Sequence, residues 1–437
     1  MADTKTRSTQ RRFAFASAIT LSVAVAGCAN QPASSPPPAS EPAPAVTVTS
    51  PFQRLTVLAF GQDGTLYAGD SGTGKLHSLA VPAAENKMAR APYNLKSVDI
   101  KLAALLGTTP QNIRVHDLAI HPMSKEAYLA VARATPQGYA STIAIINQSG
   151  AVRLMKIPEG LKTVQVPFAP TKEFMFYGEV PGRDLTFTDI EVYADKVFVA
   201  GLSNADFSSS LWTVPASFTG NVQTTTTEIY HAVHDQSETR APNRSMKVVS
   251  IGGIDHLLAS YTCTPLVLFS LDELKDGAKV RGKTIGELGY GNTPGDMLAF
   301  EAQDLEKNKF PVVFMIHKNL RAEVLSMQAI EKAASAPGLS RPIALGSTSA
   351  ISGSKVPMTD VLHIDEQDPF HILAIRRDPN QGDLELVSYL KNVYFRLSDF
   401  QSEYEIPGYT YSEKQAPIKQ FQDMMKKDEG FGETVSQ

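Results

Sequence analysis

Aspartate opens four apolar, strand-like segments that lie far apart in the chain. These residues are Asp117, Asp189, Asp296 and Asp360. A ring of carboxylate oxygens is the ligand set that a hard cation such as Ca²⁺ prefers. A carboxylate beside a metal-bound water can also serve as a general base, as in lactone hydrolysis. The four aspartates are therefore a candidate metal site, provided that the fold brings their strand starts together.

Basic residues stand beside comparable strand starts. His116 directly precedes Asp117, and two further strand-like segments are preceded by Arg54 and Arg244 in place of an aspartate. Guanidinium groups bind anionic groups through paired hydrogen bonds. We therefore expect a ligand-binding set that combines His116, the two arginines and the four aspartates.

A structural role would also explain the aspartates. Aspartate at a strand start often accepts hydrogen bonds from backbone N–H groups of the adjacent turn. A repeated aspartate would then perform the same task in each segment. The repetition argues against catalysis, because an active site usually breaks such symmetry. Turn capping, ligand or metal binding, and catalysis all stay open.

The strand starts belong to a weak internal repeat. Six units share the order of apolar strand, turn, apolar strand, loop and third strand, and they start near residues 55, 117, 189, 246, 296 and 360. A fourth strand can follow some units, such as residues 152–157, 224–231 and 393–397. Short helices are predicted over residues 97–106 and 326–335.

Four short strands per unit at a recurring period predict an all-β protein with a single β-propeller. The six units predict six blades, and seven stay open if the long unit 117–188 hides another. A pair of β-sandwiches is the alternative architecture. In a propeller the first strand of every blade lines the central channel, so the six strand starts would converge on one face.

Two short motifs support this architecture by resemblance. The segment Phe60-Gly-Gln-Asp-Gly-Thr-Leu-Tyr-Ala-Gly-Asp-Ser71 resembles the strand-turn-strand signature of NHL, YVTN-type and gluconolactonase-like propellers. Pro294-Gly295-Asp296-Met297 resembles the Pro-x-Gly start of a blade in these proteins, with one residue missing. The resemblance implies a propeller fold over most of residues 52–400, and it transfers no catalytic residue.

The N-terminal residues indicate where the protein works. Basic residues precede an uncharged, mostly apolar run from Phe13 to Ala26, which is short for a membrane span. The run ends in Val25-Ala26-Gly27-Cys28, which resembles a bacterial lipobox. This resemblance implies a lipoprotein signal peptide over residues 1–27 and a Cys28 that carries acyl chains such as palmitate. Ala29 in place of aspartate favours the outer membrane, facing the periplasm.

The rest of the chain divides into three parts. Residues 28–51 form a Pro/Ala/Ser-rich tether that cannot bury enough apolar surface to fold. Residues 52–411 hold the predicted propeller, and residues 412–437 form a polar tail in which we expect one or two helical turns and a disordered end.

Composition excludes several classes of function. The chain is 43% hydrophobic and 20% charged, as in ordinary globular proteins, and its net charge of −4 offers no basic footprint for nucleic acid.

Cys263 is left without a partner if Cys28 is lipidated, so it is either a reactive or copper-binding thiol or a buried inert one. His231 and His234, near Asp235 and Glu238, form either a metal cluster or a solvated loop.

These observations predict an envelope lipoprotein, held to the membrane by its lipid anchor. Its propeller would act as a binding module for a small molecule or another envelope protein. The alternative is a metal-dependent, Ca²⁺-type hydrolase that resembles a lactonase and uses the aspartate ring.

Overall fold

A computed structural model of the protein describes residues 50–400 and 415–431. Short gaps fall at 84–85, 87–89, 137, 158, 177–179, 290–291, 304–306, 348–350, 352 and 379–380. The predicted signal peptide, Cys28 and nearly all of the tether lie outside the described residues. Among the helices that are described, none is both long and apolar enough to cross a membrane.

Strands dominate the described residues. In chain order they are β1 (Leu55–Phe60), β2 (Thr65–Asp70), β3 (Lys75–Ala80), β4 (Asn94–Leu95), β5 (Ile113–Ile120), β6 (Ala127–Thr135), β7 (Gly138–Ile146), β8 (Val152–Leu154), β9 (Lys162–Gln165), β10 (Met175–Phe176), β11 (Val180–Pro181), β12 (Asp189–Tyr193), β13 (Lys196–Leu202), β14 (Ser209–Pro215), β15 (Gln223–His231), β16 (Gln236–Glu238), β17 (Asn243–Ile251), β18 (Ile254–Tyr261), β19 (Pro265–Ser270), β20 (Lys279–Arg281), β21 (Lys283–Glu287), β22 (Pro294–Gln303), β23 (Lys309–His317), β24 (Glu323–Ser326), β25 (Ser354–Lys355), β26 (Val361–Glu366), β27 (His371–Arg377) and β28 (Leu384–Leu390).

These strands form a six-bladed β-propeller, which confirms the predicted fold. From the channel outwards, the blades are β1-β2-β3-β9 (blade 1), β5-β6-β7-β8 (blade 2), β12-β13-β14-β15 (blade 3), β17-β18-β19-β21 (blade 4), β22-β23-β24-β25 (blade 5) and β26-β27-β28-β4 (blade 6). The first three strands of each blade are those that the repeat predicts. β16 and β20 add to the outer strand of blade 3.

The order of the blades around the ring differs from their order along the chain. Contacts between the innermost strands place β1 beside both β5 and β12, and place β5 beside β26. The ring therefore runs through blades 1-3-4-5-6-2. The chain builds most of blade 1, moves to one side for blade 2, and returns across blade 1 to reach blade 3.

Two outer strands show how the chain makes this return. β9 follows blade 2 in the chain but pairs with β3 of blade 1, where Lys75 lies opposite Gln165. β4 lies between blades 1 and 2 in the chain but pairs with β28 of blade 6, where Leu95 lies opposite Leu386. Within its described residues, the long unit therefore forms blade 2 and the outer strand of blade 1, with no seventh blade. The predicted fourth strand at 393–397 is wrong, because a single 3₁₀ turn occupies Leu397–Asp399 and β4 takes the outer position.

Apolar side chains hold each pair of neighbouring blades together. The largest buried cluster joins blade 2 to blade 6 through residues such as Leu129 and Leu373. Another joins blade 1 to blade 3, with Trp212 fully buried. The central strands of a blade pack on both faces, so β6 has a continuous buried run where alternation would mark a half-exposed strand.

The part of the chain that the structure describes also contains three α-helices. α1 (Val98–Leu106) and α2 (Met327–Ser335) confirm the two predicted helices, and the Ser326 side chain caps α2 by accepting a hydrogen bond from the Ala329 amide. α3 (Gln415–Glu429) is longer than the one or two turns predicted for the tail. The Glu429 carboxylate accepts hydrogen bonds from the Leu397 and Ser398 amides, which attaches the end of α3 to the chain after blade 6.

Candidate functional site in the central channel

A bulge near the start of most innermost strands sets the register of the channel. The bulged residues are Thr56 in blade 1, His116 in blade 2, Arg244 in blade 4 and Leu362 in blade 6. In blade 5, Gly295 and Asp296 together face a single residue of β23. A bulge turns the following side chain to a new direction, so the residue after it occupies the same place in each blade.

The equivalent positions carry alternating residue types around the ring. Following the ring order, they are Val57, Asp189, Ser245, Asp296, His363 and Asp117. The three aspartates therefore belong to alternate blades. The structure brings together three of the four predicted aspartates in one layer of the channel.

Each of these aspartates joins its own blade to the next one. Asp117 Oδ2 accepts a hydrogen bond from the Leu58 amide of blade 1 at 2.6 Å. Asp189 Oδ2 accepts from Met246 of blade 4 at 2.6 Å, and Asp296 Oδ2 accepts from Ile364 of blade 6 at 2.8 Å. All three acceptors bond the amide that directly follows the equivalent position in the neighbouring blade, and all point the same way around the ring.

A second layer repeats the arrangement two residues further along the strands. Asp365 Oδ2 accepts from the Ile120 amide at 2.7 Å, and Glu191 Oε1 accepts from the Val248 amide at 3.2 Å. The structural interpretation of the aspartates is therefore correct in kind. It needs one change, since the carboxylates cap amides of the neighbouring blade as well as amides of their own strand.

Asp360 does not belong to this layer. It is exposed, has a φ of 60°, and lies directly before β26 with its carboxylate accepting from the Thr359 hydroxyl at 3.1 Å. The bulge at Leu362 gives the equivalent position in blade 6 to His363, three residues later. The inclusion of Asp360 among the converging residues was therefore wrong.

The two predicted arginines have different surroundings. Arg54 forms ion pairs with Asp184 at 3.1 Å and with Glu173 at 3.8 Å. These two carboxylates neutralise the charge of Arg54. Arg244 lies in the field of Asp189 and Asp296, although burial lowers the pKa of its guanidinium. Its buried Nε has no hydrogen-bond partner among the described residues.

His363 lies between two of the aspartates. Its Nδ1 is 3.2 Å from Asp296 Oδ2 and 3.6 Å from Asp117 Oδ1. Burial acts to lower the pKa of His363, but the charges of Asp296 and Asp117 raise it overall. The His363 imidazole thus lies between two carboxylates, at a place where a bound cation would contact all three side chains. Metal binding by the aspartates stays a prediction.

His116 behaves differently from His363. It is half-buried, and burial lowers its pKa to about 4, helped by the positive charges of His363, Arg54 and Arg114. His116 is therefore neutral at physiological pH. It offers a hydrogen-bonding group near the strand starts and no charge.

The channel contains a cavity of about 400 Å³. Asp117, Asp189 and Asp296 lie at one end of it, and the lining continues to Gln62 and Lys125, which follow the innermost strands of blades 1 and 2. The cavity thus extends towards the ends of the innermost strands, whereas the sequence placed the site at their starts. Arg54, His116 and Arg244 are not among the residues that line it.

The cavity lining is strongly acidic. Two lysines, Lys125 and Lys247, face a larger set of carboxylates, namely Asp117, Asp189, Glu191, Asp296, Asp365, Glu366 and Asp368. Lys247 Nζ forms an ion pair with Glu191 at 2.6 Å. This ion pair holds the pKa of Lys247 above its usual range despite burial. Burial raises the pKa of Asp189 to about 7 and that of Asp365 to about 6. Burial also raises the pKa of Asp117.

The sequence patterns did not predict four of the channel residues, namely Glu191, Lys247, His363 and Asp365. A signal for them existed. Each lies two residues from another polar residue within an otherwise apolar innermost strand, as in Asp189-Ile-Glu191 and His363-Ile-Asp365. Alternation of charge inside a predicted channel strand would have indicated a second layer.

No family model matches the chain, and no curated protein matches it either. Solved structures with a similar fold include virginiamycin B lyase from Staphylococcus aureus, with 8% identity, a TM-score of 0.29, and coverage of 77% of this chain and 95% of the lyase. A PQQ-bound aldose sugar dehydrogenase from Streptomyces coelicolor has 10% identity, a TM-score of 0.30, and coverage of 76% and 93%.

A chain of the mitotic checkpoint complex is similar at the same level, with 7% identity, a TM-score of 0.35, and coverage of 77% and 90%. These neighbours vary in function. Their low identities and TM-scores transfer no activity to this chain. The propeller expected from the sequence motifs is confirmed as a fold, and the six sheets of the protein itself carry that conclusion.

Ionisation of the channel should make stability depend on pH. Folding raises the pKa of Asp189 to about 7, so protonated Asp189 stabilises the fold at low pH and this contribution is lost as pH rises towards 7. We expect the Asp189→Asn variant to gain stability relative to the wild type between about pH 4 and pH 8, measured as free energy of unfolding in urea. The exposed Asp206 supplies the control, because Asp206→Asn should show no such trend. A pH-independent difference for Asp189→Asn would contradict this interpretation.

Proposed function

We propose that the protein is a binding module of the cell envelope whose propeller takes a small cationic ligand in the channel cavity. The observation that carries the proposal is the convergence of Asp117, Asp189, Asp296 and Asp365, from four blades, on one cavity of about 400 Å³. Cavities of roughly 300–1,000 Å³ are typical of small-molecule sites.

The charge of the cavity decides the class of ligand. Ion pairs compensate part of the charge, since Lys247 pairs with Glu191 and Lys391 pairs with Glu366. His371 lies beside Asp368, and His363 lies beside Asp296. Asp189 and Asp365 instead accept hydrogen bonds from backbone amides among the described residues. Burial and mutual repulsion make their ionised forms costly, which the raised pKa values of Asp189 and Asp365 express. A bound cation would relieve this cost, whereas an anion would increase it.

Two kinds of cation share this chemistry: a protonated amine and a divalent metal ion. An ammonium group can donate hydrogen bonds to the free lone pairs of the carboxylates. A metal ion would use Asp117, Asp296 and His363, whose ligand atoms all lie within 4.8 Å of one another. An imidazole in this set is accepted more readily by a transition-metal ion, Zn²⁺ above all and also Mn²⁺, than by Ca²⁺. A bound metal ion is also what the hydrolase alternative requires.

Titration calorimetry of the detergent-solubilised full chain tests this proposal with spermidine, Mn²⁺, Ca²⁺ and succinate. We expect spermidine or a divalent ion to bind, and succinate not to bind. Affinity should fall by about 10–100-fold from pH 8 to pH 5, because protons compete for Asp189 and Asp365. Asp189→Asn should weaken binding by about tenfold or more, as expected for loss of a charged partner.

Asp360→Asn is the matched control, since it removes an exposed carboxylate outside the cavity and should leave affinity unchanged. Binding of Mn²⁺ without binding of spermidine would identify the cavity as a metal site. Lactone hydrolysis would then be assayed. Equal affinity for succinate, or no binding of any cation, would exclude the proposal.

The envelope location rests on the N-terminal sequence. Its support is the apolar run that ends in Val25-Ala26-Gly27-Cys28, followed by a spacer rich in proline. More than one acyl chain is needed for stable anchoring, and a lipoprotein cysteine carries such a set. The wild type grown with an alkyne-labelled fatty acid should be labelled and recovered with membranes. Cys28→Ser should lose both properties, whereas a labelled Cys28→Ser protein would contradict the anchor.

A further inference from the structure

A second group of chemically active side chains lies between blades 3 and 4, outside the channel. His231 ends β15 and His234 lies in the turn that follows, while Cys263 lies in the turn between β18 and β19. The sequence left Cys263 and the pair of histidines as separate features, 29 or more positions apart. Folding brings a ligand atom of each residue within 4.8 Å of the other two.

One carboxylate orients both imidazoles. Glu238 Oε1 lies 2.9 Å from His231 Nδ1 and 2.8 Å from His234 Nδ1. The two rings are close, with their centroids 3.8 Å apart. Because Glu238 engages both Nδ1 atoms, Nε2 is the nitrogen through which each ring would bind a metal ion. In His231, an ion would replace the contact of Nε2 with the Thr264 hydroxyl. Carboxylates that hold the far nitrogen of an imidazole in this way are typical of metal-binding histidines.

The cluster combines a buried side with an accessible side. The His231 side chain is fully buried, whereas that of His234 is 44% exposed and Cys263 is half-buried. His231 Nε2 faces the Thr264 hydroxyl at 3.2 Å, and this hydroxyl also contacts Glu287. Glu287 in turn accepts a hydrogen bond from the Ala232 amide at 2.7 Å. The buried ligand is therefore fixed by its surroundings, and an ion can approach from the side of His234.

The donor types define the ion that would suit this cluster. A thiolate and two imidazoles form a soft to borderline set, which favours Cu⁺ or Zn²⁺ and disfavours Ca²⁺ or Mg²⁺. We propose that His231, His234 and Cys263 form a binding site for a thiophilic transition-metal ion, with Glu238 as the positioning residue. This site is independent of the cation cavity in the channel, since it uses none of the same residues.

Co²⁺ is the probe of choice, because a cobalt–thiolate bond gives a charge-transfer absorption that oxygen and nitrogen ligands do not. The experiment uses the full chain with Cys28→Ser, in which Cys263 is the single thiol. We expect one Co²⁺ per chain with this absorption, displaced by Zn²⁺. A parallel anaerobic titration with Cu⁺ ranks the two natural ions.

Variants assign the ligands. Cys263→Ser should abolish the charge-transfer absorption, and His234→Ala should weaken Co²⁺ binding by about tenfold or more. Glu238→Gln should weaken it by about 10–100-fold while retaining the absorption, as expected for a residue that acts through the ligands. Because His234 is partly exposed, its replacement is compatible with folding, which circular dichroism would check.

His256→Ala is the matched control, since His256 lies near the start of β18, where it bonds the Ile254 carbonyl, and its replacement should leave Co²⁺ binding unchanged. Asp189→Asn should also leave this site intact, which separates it from the channel. Absence of the thiolate absorption in the parent protein, or equal Co²⁺ affinity in His234→Ala and the parent, would overturn the proposal.

Discussion

The innermost strand of every blade is the edge of a sheet, and this edge faces the channel. One side of the strand pairs with its neighbour, and the N–H groups on the other side have no strand to pair with. Unpaired buried amides are costly, because a lost hydrogen bond leaves the full desolvation penalty. In this protein carboxylates from the adjacent blade accept several of these bonds, as Asp117 does from Leu58.

This solution explains the composition of the channel. Satisfying the strand edges requires acceptors. Burial of these acidic acceptors, and then their closeness to one another, raises their pKa values, as for Asp189. Lys247 and His363 offset part of the resulting charge. The acidic cavity thus follows from the way that the ring is held together, and binding of a cation would use a charge distribution that folding already requires.

The sequence predicted what local pattern can encode. Alternation of apolar residues located the first three strands of all six blades, and the cap residue Ser326 marks the start of α2. Local pattern does not encode which sheet edge a strand joins. β9 and β4 pair with strands that lie far away in the chain, so the blade order and the closure of the ring were not predicted. Asp360 was misplaced for a related reason, since one bulged residue at Leu362 decides that His363 takes the shared position.

The central claim is that carboxylates from neighbouring blades bond the channel-facing amides. Hydrogen exchange of the Leu58, Met246 and Ile364 amides in the folded protein tests it most directly. Protection comparable to that of amides within the sheets is expected, with selective loss at Leu58 in Asp117→Ala and no change in Asp360→Asn. Exchange of all three amides as fast as in exposed loops, or unaltered protection of Leu58 in Asp117→Ala, would contradict the account.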